Sequence, residues 1–175
     1  PPGNYEPQPV DMNADIFKYY RYPHIPLMDL IFYYGHGRDG YKLVSSAANV
    51  YEKPVVAAEI YGARTIFIKN EMDRNMLYRA AMDVFTRGIN FLIPHGMWYN
   101  PDSAAIRIPP LISAYNPVLG PVLADYNLWA ARCSMLLQEG QTVADIAVLY
   151  PIASLEGGFR FDAGKNWGKF VPPGT

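Results

Sequence analysis

The stretch Lys53-Pro54-Val55-Val56-Ala57-Ala58-Glu59-Ile60-Tyr61-Gly62-Ala63 decides the fold. Its apolar run, 55–58, is too short for a helix and lies between a proline and a glycine, which is typical of a parallel strand buried on both faces. Glu59 follows this run directly. Because the carboxyl ends of the strands line the active site in a (β/α) barrel, a carboxylate at this point predicts a catalytic or sugar-binding role.

Glu59 also has a structural interpretation. It can pair with an arginine such as Arg64 or Arg107 at the rim of a barrel and serve only to hold the loops. The sequence leaves both interpretations open, because it does not say which side chains surround this carboxylate.

A second buried strand is predicted at 25–34, where Asp29 interrupts the apolar residues. An isolated buried charge is very costly, so a buried Asp must be paired, hydrogen-bonded or neutral. Asp29 is therefore either a substrate contact or a structural residue that accepts hydrogen bonds from loop backbone.

Helical and strand patterns alternate along the rest of the chain. Helices are predicted over 41–52 and 121–139. A further helix lies between them: we expect Asn70 to cap its first turn, Asp73 to reach back in a capping box, and Gly88 to end it. Two more strands are predicted at 89–98 and 145–151, and the remainder from residue 153 onward reads as loop. This alternation predicts an α/β protein with a parallel sheet.

Composition limits the classes of partner. The chain has 175 residues, of which 50% are hydrophobic and 18% charged, enough for one globular core. Its formal net charge of -1 offers no basic field, which argues against nucleic acid and membrane surfaces as partners. No apolar run approaches the length of a membrane span. The single Cys133 falls within a helical pattern, where a small buried hydrophobe is expected.

Four blocks of sequence carry a family resemblance: KLVSSAANVYEKPVVAAEIYGA, GINFLIPHGMW, WAARCSMLLQEG and VADIAVLYP. Together they resemble the catalytic barrel of family 106 glycoside hydrolases, the α-L-rhamnosidases. More loosely they resemble family 42 β-galactosidases and other barrel glycosidases. The resemblance covers roughly residues 25–151 and implies a glycosidase that acts on a terminal sugar of an oligo- or polysaccharide.

The resemblance also implies a site. Glu59 matches the carboxylate at the end of a late barrel strand, where the looser relatives carry a catalytic Glu. His95 and Trp98 would line the sugar pocket, and Asp29 would lie on the preceding strand. Trp98 and Tyr99 are candidate platforms on which a sugar ring stacks. His95 has an alternative role, as a structural histidine bonded to loop backbone.

The predicted strands amount to three or four of the eight in a (β/α)8 TIM barrel. Residues 1–151 would then be the C-terminal portion of the barrel, and 152–175 a loop or the start of a following domain. We expect the rest of a longer chain, or a second copy, to complete the barrel, because the open edges and inner face are costly in water. The second catalytic carboxylate is then either Asp29 or a residue outside this chain.

The resemblance also bears on cofactors, partners and cellular location. Such families can hold calcium, but this sequence lacks the carboxylate spacing of an EF-hand, so we expect no cofactor. The partner that the resemblance implies is a carbohydrate substrate. The resemblance suggests a periplasmic or secreted protein, and the sequence itself leaves the sugar, the linkage and the stereochemical course open.

We expect Trp98→Ala to weaken sugar binding by about 1–3 kcal/mol, because the indole would supply a stacking surface. Calorimetric titration with the sugar measures this loss. The melting temperature should stay nearly unchanged, since a stacking platform is exposed in the unliganded protein. Lost stability with intact binding would instead identify Trp98 as a core residue.

Overall fold

A computed structural model describes residues 15–29, 40–61, 72–95, 100, 102 and 112–158. Within these ranges the chain is mixed α/β, with helices α1 (Ile16–Tyr20), α2 (Gly40–Val50), α3 (Arg74–Thr86), α4 (Gly120–Gln138) and α5 (Ile152–Gly158), and strands β1 (Leu27–Asp29), β2 (Ala57–Ile60) and β3 (Phe91–Pro94). In this part of the chain, no helix is both long and apolar enough to cross a membrane.

The three strands form one parallel sheet in the order β1-β2-β3. Helix α2 connects β1 to β2, and α3 connects β2 to β3. Parallel neighbours need such crossovers, because the chain must return to the starting edge of the sheet before each new strand. The predicted α/β class with a parallel sheet is therefore confirmed, and the sheet contains three strands within the described residues.

The two faces of this sheet differ in composition. Alternate residues of a strand point to opposite faces, and one face contributes Met28, Ala58 and Ile60 to the hydrophobic core. Helices α2 and α3 pack their apolar residues into the same core, chiefly Val44, Ala47, Ala48, Leu77, Ala81 and Val84. The opposite face has Asp29 and Glu59 at one end and the half-exposed Phe91 at the other.

Helix α3 begins and ends at residues with clear local roles. Asp73 is its N-cap, and the carboxylate accepts a hydrogen bond from the Met76 backbone N–H at 2.8 Å. This differs from the prediction, because Asp73 itself is the cap, while Asn70 lies outside the described residues. Gly88 ends the helix region with φ 91°, as predicted. A Cβ on Gly88 would lie 2.9 Å from the Cβ of Ser45, so this position also needs glycine for space.

The predicted fourth strand at 145–151 is wrong. Residues 142–150 form neither helix nor strand, and Ile146, Val148 and Leu149 are largely exposed. A β pattern becomes a strand only where a neighbouring strand pairs with it, and the described sheet ends at β3. The residues that follow were expected to be loop, yet α5 occupies 152–158.

Helix α4 packs against the core over only part of its length. Tyr126 is buried, and Trp129 and Cys133 are partly buried against the core, so the expected burial of Cys133 is only partial. Leu136 and Leu137, near the end of the helix, are exposed. The last turn of α4 therefore extends beyond the part of the core that the described residues form.

Asn90 joins three elements at the amino-terminal end of β2 and β3. Its side-chain carbonyl accepts from the Val56 N–H at 2.7 Å, and its amide donates to the Pro54 carbonyl at 2.8 Å. The Asn90 backbone carbonyl accepts from the Gln138 side chain at 3.0 Å, which ties the end of α4 to the sheet. Asn90 is 6% exposed and Val56 is 3% exposed, so the amide replaces water as the partner of the buried Val56 N–H.

We expect Asn90→Ala to lower the free energy of unfolding by about 1–3 kcal/mol, because it leaves the buried Val56 N–H without a partner. Urea denaturation measures the loss. Asn100→Ala is the matched control, since the exposed Asn100 side chain accepts one hydrogen bond from the Asp102 N–H in a surface turn. Equal effects of the two substitutions would contradict a structural role for the Asn90 side chain.

Candidate functional site

The register of the sheet brings Asp29 beside Glu59. Asp29 pairs with Glu59 across β1 and β2, and Glu59 pairs with Ile93 across β2 and β3. Paired positions on parallel strands direct their side chains to the same face, and neighbouring strands lie about 4.8 Å apart. Two carboxylates therefore occupy adjacent positions at the carboxyl edge of the sheet.

His95 completes this group. It follows β3 directly, and its backbone N–H donates to the Ile60 carbonyl at 2.8 Å, which extends the β2–β3 pairing by one residue. Its imidazole Nδ1 is hydrogen-bonded to Oε1 of Glu59. The ladder therefore places the ring over the end of β2, where it reaches the carboxylate.

The Glu59–His95 pair is partly accessible to solvent. The Glu59 side chain is 23% exposed and the His95 side chain 30%. A carboxylate that accepts the Nδ1–H of a neutral imidazole leaves the Nε2 lone pair free to accept another proton. Such a pair can orient a hydroxyl group, and the carboxylate can act as a nucleophile or a base.

The Asp29 residue is more deeply buried than the Glu59–His95 pair. It is 7% exposed and takes part in an interaction of its own. This fits the requirement that a buried carboxylate be partnered. Its position beside Glu59 is consistent with a substrate contact and also with a structural role, so both interpretations from the sequence remain.

The structural interpretation of Glu59 required an arginine partner. Within the described part of the chain, Glu59 is hydrogen-bonded to His95. Arg64 and Arg107 lie outside the described residues, as do Trp98 and Tyr99. The structure thus brings together three of the five predicted site residues: Asp29, Glu59 and His95.

Tyr61 supports the site and was not predicted to do so. It comes two residues after Glu59, is fully buried and has φ 68°, a conformation that a residue with a Cβ rarely adopts. Its hydroxyl donates to the Leu77 carbonyl at 2.8 Å and is hydrogen-bonded to the Tyr126 hydroxyl at 2.6 Å. These bonds to α3 and α4 hold Tyr61 in this conformation directly after β2.

Burial has the largest effect on the pKa of the Tyr126 hydroxyl. It raises the pKa of Tyr126 to about 12, although the hydrogen bond with Tyr61 acts in the opposite direction. The Tyr126 hydroxyl therefore stays protonated across the physiological range and serves as a neutral hydrogen-bonding group. The only sequence signal for this role was a bulky Tyr61 directly before Gly62 at the end of a strand.

The described residues contain no group of three or more His, Cys, Asp or Glu side chains arranged to hold a metal ion. The fold and site together define a mixed α/β protein with a carboxylate pair and a histidine at the carboxyl edge of a parallel sheet. Comparisons of the chain with protein-family models, with curated proteins and with solved structures find no match.

We expect Glu59→Gln to change the tautomer of His95, because the carboxylate holds the proton on Nδ1 and an amide can equally present its NH2 group to that nitrogen. Two-dimensional ¹H–¹⁵N spectra of the imidazoles report which ring nitrogen carries the proton. The exposed His24 is an internal control and should not respond. An unchanged His95 spectrum would contradict the contact.

Proposed function

We propose that the protein is a glycoside hydrolase, most like an α-L-rhamnosidase, in which Glu59 is a catalytic carboxylate. One observation carries the proposal: Glu59 lies at the carboxyl edge of a parallel sheet, beside Asp29 in register and in contact with His95. Ligands of α/β folds bind at this edge, because side chains from successive strands converge there.

The order of elements supports a barrel as the parent architecture. Three strands adjacent in sequence are adjacent in the sheet, and a helix follows each strand. The helices pack on the face that carries Met28, Ala58 and Ile60. Asp29 and Glu59 point from the other face, which would be the interior of a closed (β/α)8 barrel.

Hydrolysis of a glycoside requires two carboxyl groups, one that protonates the leaving oxygen and one that attacks the anomeric carbon or activates water. Glu59 is our candidate for the second role, because it is partly exposed and oriented by His95. Asp29 is the nearest candidate for the acid. Retaining enzymes hold their two carboxyl groups about 5–5.5 Å apart and inverting enzymes about 6.5–9.5 Å, so the stereochemistry of the product would show which arrangement applies.

In this proposal His95 orients the Glu59 carboxylate through Nδ1 and presents Nε2 towards a sugar hydroxyl. Trp98 and Tyr99 would supply the stacking surface. Each hydrogen bond to a sugar hydroxyl would help to hold the substrate in its reactive orientation, which lowers the entropic cost of reaching the transition state.

A non-catalytic carbohydrate-binding or structural role is the second candidate. It is favoured by the low exposure of Asp29, 7%, which restricts the access of a leaving group to that carboxylate. On this alternative, Glu59 and His95 form a fixed polar pair that binds sugar hydroxyls without any chemical step.

We expect Glu59→Gln to lower the turnover of aryl glycosides, aryl rhamnosides first, by about 100- to 10,000-fold, because the amide can neither attack nor accept a proton. Release of the phenolate measures turnover, and the melting temperature should change little. Glu139→Gln is the control, since it makes the same substitution at an exposed position after α4.

The same experiment separates the two candidates. A Glu59→Gln variant that turns substrate over normally removes Glu59 from the mechanism. Sugar binding by calorimetry, with no turnover of any aryl glycoside by the unmodified protein, supports the binding role. Recovery of Glu59→Ala activity by added azide, with formation of a glycosyl azide of inverted anomeric configuration, would identify Glu59 as the nucleophile of a retaining enzyme.

A further inference from the structure

Tyr126 of α4 carries a buried hydroxyl that the proposed reaction does not use. The residue is 2% exposed, and its hydroxyl is hydrogen-bonded to the Tyr61 hydroxyl at 2.6 Å. A buried hydroxyl needs a partner, whereas a phenylalanine ring fills nearly the same space without one. What the hydroxyl adds to the packing of α4 is therefore its bond to Tyr61.

The direction of this hydrogen bond follows from the second contact of Tyr61. The Tyr61 hydroxyl donates to the Leu77 carbonyl at 2.8 Å. A hydroxyl has one hydrogen to donate, so the Tyr61 oxygen accepts the hydrogen that Tyr126 donates. The outer end of the Tyr61 ring is thus held between α3, which contains Leu77, and α4, which contains Tyr126.

The backbone of Tyr61 has a conformation that a tyrosine rarely adopts. Its φ is 68°, which is uncommon for residues with a Cβ and most unusual for bulky ones. Such a conformation persists where surrounding contacts impose it, and these positions cluster at functional sites. The contacts of the Tyr61 hydroxyl are of this kind, because the side chain is fully buried and bonded to two helices.

The φ torsion of Tyr61 connects its ring to the candidate site. This torsion is the rotation about the N–Cα bond, so it sets the orientation of the planar Ile60–Tyr61 peptide relative to the tyrosine side chain. The carbonyl of that peptide belongs to Ile60 and accepts the His95 backbone N–H at 2.8 Å. Tyr61 therefore orients the same peptide group that places His95 beside Glu59.

We propose that Tyr126 is a positioning residue for the Glu59–His95 pair. By donating to the Tyr61 hydroxyl, Tyr126 keeps φ of Tyr61 positive. The Ile60 carbonyl then stays in line with the His95 N–H, which holds the imidazole over Glu59. Without the donor, Tyr61 relaxes towards a negative φ, the Ile60 carbonyl turns, and His95 leaves the carboxylate.

Tyr126→Phe tests the proposal, because it removes the donor and keeps the ring. Two-dimensional ¹H–¹⁵N spectra of the imidazoles, recorded well below the melting temperature, report the His95 tautomer without any substrate. We expect the fraction of His95 that carries its proton on Nδ1 to fall. Hydrogen exchange at the His95 backbone amide should become about tenfold faster or more.

Two controls separate positioning from a general loss of stability. The Phe91 amide, bonded to the Val56 carbonyl at the opposite end of the β2–β3 pairing, should keep its exchange rate. Tyr78→Phe removes a hydroxyl from a ring whose centroid lies 5.3 Å from that of Tyr126, outside the contact between Tyr126 and Tyr61. It should leave the His95 tautomer and exchange rate unchanged.

A double variant tests whether Tyr126 acts through Tyr61. Tyr61→Phe removes the acceptor, so adding Tyr126→Phe to it should change the His95 spectrum no further. Two independent effects that add would overturn the proposal. So would an unchanged His95 in Tyr126→Phe, or equal acceleration of exchange at Phe91. If Tyr126→Phe does not fold, the same two measurements on Tyr61→Phe decide the outcome.

The effect of Tyr126 on turnover rests on the proposed function, whereas its effect on the His95 contact does not. If the protein hydrolyses aryl glycosides, Tyr126→Phe should lower turnover about 10- to 100-fold, because misplaced catalytic groups lose rate steeply. A displaced His95 in a protein without glycosidase activity would support the positioning role and overturn only the proposed chemistry. Normal turnover with an undisturbed His95 would overturn the positioning role and leave the glycosidase proposal standing.

Discussion

The parallel pairing of β2 with both of its neighbours is the constraint on which the rest of the structure depends. Its register brings Asp29 and Glu59 together, and its continuation past β3 places the His95 backbone against Ile60. A shift of one residue between β1 and β2 would place Asp29 and Glu59 on opposite faces, and a shift between β2 and β3 would move His95 away from Glu59. The site is thus a consequence of strand register, and every element that fixes the register also fixes the site.

Two buried polar residues secure the two ends of β2. Asn90 bonds to the backbone before the strand, and Tyr61 bonds to α3 and α4 after it. Both make hydrogen bonds in places where water is excluded, and the bonds are therefore specific as well as stabilising. Residues on both sides of β2 are therefore hydrogen-bonded to neighbouring elements.

The exposed segment 143–149 shows that a strand-like sequence does not by itself bury apolar side chains. Val143, Ile146, Val148 and Leu149 are all exposed, and so are Leu136 and Leu137 at the end of α4. Burial in a sheet also needs a neighbouring strand that pairs with the segment.

The sequence by itself determined the alternation of strands and helices, the position of Glu59 at the end of a strand and the need for glycine at Gly88, because hydrophobic periodicity and backbone conformation are local properties. Only the tertiary structure decided that His95, and no described arginine, is the partner of Glu59, and that Tyr61 and Tyr126 support the end of β2. It also decided that 145–151 is not a strand here. Such contacts join residues far apart in the chain, and a strand pattern does not specify the partner with which it must pair.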